Sequence, residues 1–241
     1  MIKVITKDSY DELSEAANLV VRELLTAKPQ AVIGLATGSS PLGLYGQMIK
    51  DNQTQLTDYR QVVTFNLDEY IGLAKDHPES YRTFMERNLF SLINIKEENT
   101  HVPSAVDGDD QNACLAYENL MSEYNIDLQV LGVGSNAHIG FNEPGTPFES
   151  LTHIVELAQR TRLDNQRFFN SLAEVPTHAI TMGIASILKA KKILLVASGS
   201  NKAQAIYDMI NGPISPEVPA SILRQHPDVV VVIDKEAAAK L

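Results

Sequence analysis

Short apolar runs recur along the chain at residues 2–5, 31–36, 62–67, 128–131, 179–182, 193–197 and 229–233. Several of them lack polar alternation, the pattern of strands covered on both faces. Helical spacing fills the gaps: Leu13, Ala16, Ala17, Val20, Val21, Leu24 and Leu25 share one face. Residues 80–92, 111–124 and 200–211 also read as helices. Ser40-Pro41 predicts an N-cap followed by proline at the first helical position. β and α patterns in alternation predict an α/β fold with a mostly parallel sheet and helices on both faces. No internal repeat or low-complexity linker interrupts it, so residues 1–241 read as one domain. The tail, 235–241, reads as a weak helical end.

Composition narrows the possibilities. Twenty basic and thirty acidic residues give a net charge of −10, which argues against a nucleic-acid or anionic-membrane surface. A small anionic substrate remains open, because a few local cations and backbone N–H groups suffice to bind one. Cys114 is the only cysteine, which excludes an intrachain disulfide and a cysteine-based zinc site. The start, Met1-Ile-Lys-Val-Ile5, lacks a signal-peptide pattern. No apolar run approaches the roughly 18 residues of a membrane span. The expectation is a cytoplasmic protein.

The segments that follow the predicted strands carry the chemistry. Residues 128–144 read Leu-Gln-Val-Leu-Gly-Val-Gly-Ser-Asn-Ala-His-Ile-Gly-Phe-Asn-Glu-Pro. A buried strand runs there into a loop bearing Asn136, His138, Asn142 and Glu143. Open α/β sheets bind ligands at such strand ends. His138 with Glu143 suggests a base and its orienting group; an ordinary polar surface loop is the bland alternative. In 35–41, Leu-Ala-Thr-Gly-Ser-Ser-Pro, the N–H groups of Gly38, Ser39 and Ser40 and the hydroxyls of Thr37 and Ser39 could form an anion site at a helix N-terminus. The P-loop ending is absent, and a plain strand-to-helix turn fits as well. Asp68 and Glu69 follow an apolar strand. Desolvation there could raise a carboxylate pKa into the range of a carbon-acid base, unless one acid caps the next turn and the other is solvated. Lys202 falls in the first turn of a helix, where the dipole disfavours a cation unless an anion sits nearby; a solvated lysine is the alternative. Arg160, Arg162 and Arg167 form a local basic cluster.

Gly132-Val-Gly-Ser-Asn-Ala137 also fits a dinucleotide fingerprint, with Glu156 at a suitable distance. That motif needs a helix to begin within it, and Gly140, Pro144, Gly145 and Pro147 disfavour one.

Six segments in order, 34–41, 63–73, 77–81, 132–144, 161–169 and 199–203, closely resemble the glucosamine-6-phosphate deaminase family (glucosamine/galactosamine-6-phosphate isomerases), over essentially the whole chain. The resemblance implies a doubly wound α/β three-layer sandwich. It implies conversion of D-glucosamine 6-phosphate and water to D-fructose 6-phosphate and ammonia in amino-sugar catabolism, without metal or other cofactor. His138 would open the pyranose ring, Glu143 would orient it, and Asp68 would move the C2 proton. Gly38 to Ser40, with Arg167 and Lys202, would hold phosphate. Asn136 stands where some members have Asp; an amide can orient but carries no charge, so an altered pH profile is expected. Hexameric, allosterically activated members have basic residues matching 150–156, and this chain has no Lys or Arg there. A monomer without activation by N-acetylglucosamine 6-phosphate is expected. A 6-phosphogluconolactonase-like hydrolase and a non-catalytic sugar-phosphate sensor are the alternatives.

Overall fold

Strands β1 (Ile2–Lys7), β2 (Val32–Leu35), β3 (Val63–Asn66), β5 (Thr100–His101), β6 (Leu128–Leu131), β9 (Ile193–Ala197) and β10 (Val229–Asp234) form one sheet in the order β1-β10-β9-β6-β2-β3-β5. Every pairing in it is parallel. The computed structural model describes residues 2–241 apart from Lys75, residues 106–109, Arg160, Thr161, Asp164, Asn165, Arg167 and Phe168.

The unbroken apolar runs have a simple origin. Successive strand residues point to opposite faces, and here each face has its own core. Leu194, Val196, Val230 and Val232 join the core of α1 (Tyr10–Ala27) and α2 (Leu42–Gln53). Their neighbours Ile193, Leu195, Val229, Val231 and Ile233 join the opposite core, with α4 (Asp110–Ser122) and α6 (Ala203–Asn211). The result is a three-layer α/β sandwich, as the runs predict.

The run at 179–182 departs from the expected parallel sheet. It supplies β8 (His178–Thr181), which pairs antiparallel with β4 (Asp68–Tyr70) and β7 (His153–Glu156). The chain leaves the main sheet at Leu67, whose N–H donates to Leu35 O (3.0 Å) while its carbonyl accepts from Met182 N–H (2.6 Å). Apolar content alone does not say which sheet a strand joins. The predicted helix at 80–92 is α3 (Tyr81–Asn88) followed by a 3₁₀ turn, Phe90–Leu92. α5 (Ile184–Ile187) is a single short turn of helix. The tail after β10 forms successive turns rather than a helix. Among the described residues, no helix is long and apolar enough to cross a membrane.

From β2 the chain steps outward to β3 and β5, while β6, β9, β10 and β1 lie on the other side. The order therefore reverses between β2 and β6, a topological switch point of the kind beside which open α/β sheets bind ligands, at the strands' carboxyl ends.

Candidate active site

The loop after β2 lies at that switch point. Gly38 adopts φ +91°, a left-handed conformation that glycine accepts without strain. α2 begins at Leu42, and Pro41, not Ser40, takes the cap position without a side-chain cap bond. The expected Ser40 cap is thus corrected. The reason is Tyr10, whose hydroxyl donates to the carbonyls of Ser39 (2.9 Å) and Ser40 (3.0 Å) and accepts from Gly43 N–H (2.8 Å). A Cβ placed on Gly132, in the loop after β6, would lie 3.7 Å from Ser40 Cβ, so the two loops touch.

Asp68 opens β4, and its side chain is buried. A Cβ on Gly140 would meet Asp68 Oδ2 at 3.5 Å and Thr181 Oγ1 at 3.0 Å. Thr181 is Asp68's register partner on β8, and its hydroxyl accepts from Phe141 N–H (3.1 Å). Glycine at 140, with φ +58°, thus brings the backbone of the histidine loop against the carboxylate. Burial first, then the neighbouring Glu69 charge, raises the Asp68 pKa from 3.8 to about 8. The buried hydroxyls of Tyr45, Tyr81 and Tyr117 also feel the Asp68 charge.

Glu69 has a different task. Its carboxylate accepts from the N–H groups of Tyr70 (2.8 Å), Tyr81 (2.9 Å) and Arg82 (2.9 Å). It therefore satisfies the opening turn of α3, whose N-cap Ser80 accepts from Thr83 N–H. One acid of the pair is a capping group, as the bland reading has it; the other is buried rather than solvated.

The raised pKa has a consequence for stability. Between about pH 4 and pH 8 the unfolded Asp68 is ionised while the folded one keeps its proton. The native state then binds more protons, so this residue makes stability fall as pH rises through that window and level off above about 8. Asp68→Asn should therefore raise Tm relative to wild type at pH 9, with the gain vanishing near pH 4. Thermal scans across that range check it; a constant gain would contradict a raised pKa.

The loop after β6 is held by tight turns. Ala137 adopts φ +66°, Gly134 N–H donates to His138 O (2.9 Å) and Ala137 N–H to Gly134 O (3.0 Å). The His138 ring lies over Gly134, where a Cβ would fall 2.6 Å from both ring nitrogens. His138 Nδ1 faces Glu143 Oε1 at 3.3 Å, an ion-pair distance without the alignment of a hydrogen bond. Asn136 Nδ2 donates to the other Glu143 oxygen at 2.6 Å, and its own oxygen accepts from His138 N–H at 3.3 Å. Asn136 thus steers Glu143 rather than the imidazole. Asn142 is a structural lock, its amide donating to the carbonyls of Ile139 (2.7 Å) and Met182 (2.9 Å).

β9 places its loop beside that of β6. Gly199 adopts φ +92°, and its N–H donates to Asp234 (3.0 Å), as does the Ser198 hydroxyl (2.5 Å). Lys202 ends the 3₁₀ turn Ser200–Lys202 and caps α6, so it does sit at a helix start. Arg162 spends its guanidinium on the carbonyls of Leu172 (3.0 Å) and Val175 (3.1 Å). Arg160 and Arg167 lie outside the described residues.

The strand order therefore gathers Thr37–Ser40, Asp68, Asn136, His138, Glu143 and the Lys202 loop at one end of the sheet. Sequence reasoning missed Tyr10 and Thr181, and it included Tyr81 only as part of segment 77–81, without a contact. Tyr81 lies within reach of Thr37 and Asp68 and stacks on Phe141, with ring centroids 6.1 Å apart.

The family profile described as Glucosamine-6-phosphate isomerases/6-phosphogluconolactonase matches residues 6–232. The chain belongs to this glucosamine-6-phosphate isomerase/6-phosphogluconolactonase family. A glucosamine-6-phosphate deaminase of Clostridium botulinum (strain Alaska E43 / Type E3) is 51% identical over 241 residues, covering 100% of this chain and 97% of that one. The solved structure of a monomeric glucosamine-6-phosphate deaminase superposes with a TM-score of 0.95 at 44% identity, covering 99% of this chain and 100% of the other. A Trypanosoma brucei 6-phosphogluconolactonase structure superposes with a TM-score of 0.83 at 18% identity, covering 100% and 99%. Within the isomerase/lactonase family, that last likeness concerns the fold alone.

Proposed function

We infer that this chain converts D-glucosamine 6-phosphate and water to D-fructose 6-phosphate and ammonia. The observation that carries the reading is a buried carboxyl, Asp68, beside a His138–Glu143–Asn136 chain at the sheet's switch point. The close deaminase relatives support it. His138 takes the proton from the anomeric hydroxyl and returns it to the ring oxygen, which opens the ring. Glu143, held by Asn136, fixes the imidazole. Asp68, ionised, then takes the C2 proton; the C1=C2 double bond of an enolamine forms as O1 takes a proton from solvent water. Proton return at C1 gives the C2 imine, water adds at C2, and the C–N bond breaks to release ammonia. Proton transfers of this kind are each worth roughly 10²–10⁴-fold.

The phosphate rests on the N–H groups of Gly38, Ser39 and Ser40 and the hydroxyls of Thr37 and Ser39, with Lys202 and Arg167 as cations. Residues 1–241 act as one cytoplasmic domain and as a monomer, in keeping with the monomeric relative. Kinetics are hyperbolic and indifferent to N-acetylglucosamine 6-phosphate, because 150–156 offers no Lys or Arg. Light scattering and a velocity curve with that compound check both; a hexamer with sigmoidal kinetics contradicts them. The activity itself is tested by ammonia release from glucosamine 6-phosphate. Hydrolysis of 6-phosphogluconolactone without ammonia release would overturn it.

A further inference from the structure

Tyr10 is the first residue of α1, far in sequence from every residue assigned above, yet it grips the β2–α2 loop. Its ring seats against Gly43, where a Cβ would fall 2.8 Å from Tyr10 Cε1 and 3.0 Å from Ser14 Cβ. Ser14 Oγ donates to the Tyr10 carbonyl (2.7 Å), which fixes the turn that carries the ring. Burial raises the Tyr10 pKa, so its hydroxyl stays a donor around neutrality.

The bond to Ser39 O (2.9 Å) matters most. A trans peptide places its C=O and the following N–H on opposite sides of one rigid plane. Turning the Ser39 carbonyl toward Tyr10 therefore turns the Ser40 N–H away from Tyr10. The next peptide precedes Pro41 and has no N–H; its carbonyl, that of Ser40, is also held by Tyr10 (3.0 Å). The Gly43 N–H, which a free helix start would leave open, is occupied by the same hydroxyl (2.8 Å). The Ser39 carbonyl also accepts from Leu42 N–H at 3.4 Å, so the phenol, with its shorter bond, works with the first turn of α2 to set which donors of this loop face outward.

We propose that Tyr10 is a positioning residue for the substrate phosphate, setting the Ser39–Ser40 peptide so that its N–H serves the anion. The proposal rests on the reading of residues 37–40 as the phosphate site. The test compares Tyr10→Phe, which keeps the ring and removes the hydroxyl, with Gly38→Ala, which strains the loop at φ +91° without touching Tyr10. KM for glucosamine 6-phosphate, the inhibition constant of inorganic phosphate, kcat and Tm are measured for each. Tyr10→Phe should raise KM and the phosphate constant together by about ten-fold, with kcat near wild type. Gly38→Ala should raise both as well. If only Gly38→Ala moves them, the phosphate site stands and the role of Tyr10 falls. If neither variant does, both readings fall. A lower Tm in Tyr10→Phe with KM and the phosphate constant unchanged would mean that the hydroxyl only stabilises the fold.

Discussion

Asp68→Asn should lower kcat by roughly 10³–10⁴-fold while leaving KM close to wild type. Asn is nearly the same size and cannot accept the C2 proton as a base. The site around it is shaped by Gly140 and Thr181, which an amide leaves in place. A group used only in the transition state lowers kcat without weakening ground-state binding. The carboxylate it replaces is buried, with a pKa pushed up to about 8; such a base is matched to a weakly acidic carbon near neutral pH. Steady-state kinetics at pH 8 check this. An Asp68→Asn enzyme with kcat within a few-fold of wild type would remove Asp68 from the chemistry.

His138→Gln should lower kcat by roughly 10²–10³-fold, for a different reason that can be told apart. In the variant, ring opening becomes the slow step. Deuterium at C2 of the substrate then ceases to matter, and the isotope effect on kcat falls to unity. Glutamine cannot shuttle a proton between the anomeric hydroxyl and the ring oxygen, although its amide can still hydrogen-bond. Glu143→Gln should fall between wild type and His138→Gln, because Glu143 faces Nδ1 at 3.3 Å and acts through the ring. A His138→Gln enzyme that is slow but keeps a full isotope effect would place His138 in the carbon–hydrogen step instead.

Most of the main sheet was legible in the sequence: β2, β6, β9 and β10 are buried along their length and read as apolar runs, whereas the edge pair Thr100–His101 of β5 carries none. β4 and β7 were not legible either. β4 is the polar triplet Asp68–Tyr70, and β7 is only half-buried; neither carries an apolar run, and their pairing with β8 is a tertiary fact. The loops after β2, β3, β6 and β9 were legible as chemistry because glycines and polar residues follow each strand abruptly. What they do to one another was not. Which acid of Asp68-Glu69 is capped depends on three N–H groups, two of them on α3. Asn136 contacts Glu143 rather than the imidazole only because the turn at Gly134–Ala137 folds back. Tyr10 left no signal at all, since its partners lie 29 to 33 residues away.

The most direct measurement is a proton NMR time course of glucosamine 6-phosphate in D₂O with wild-type and Asp68→Asn protein. The wild type should produce ammonia and fructose 6-phosphate, with solvent deuterium appearing at C1. Asp68→Asn should bind the sugar phosphate yet leave its C2 proton in place. Exchange at the wild-type rate in Asp68→Asn, or an intact C2 proton with no ammonia in the wild type, would contradict the assignment of Asp68 as the base of a deaminase.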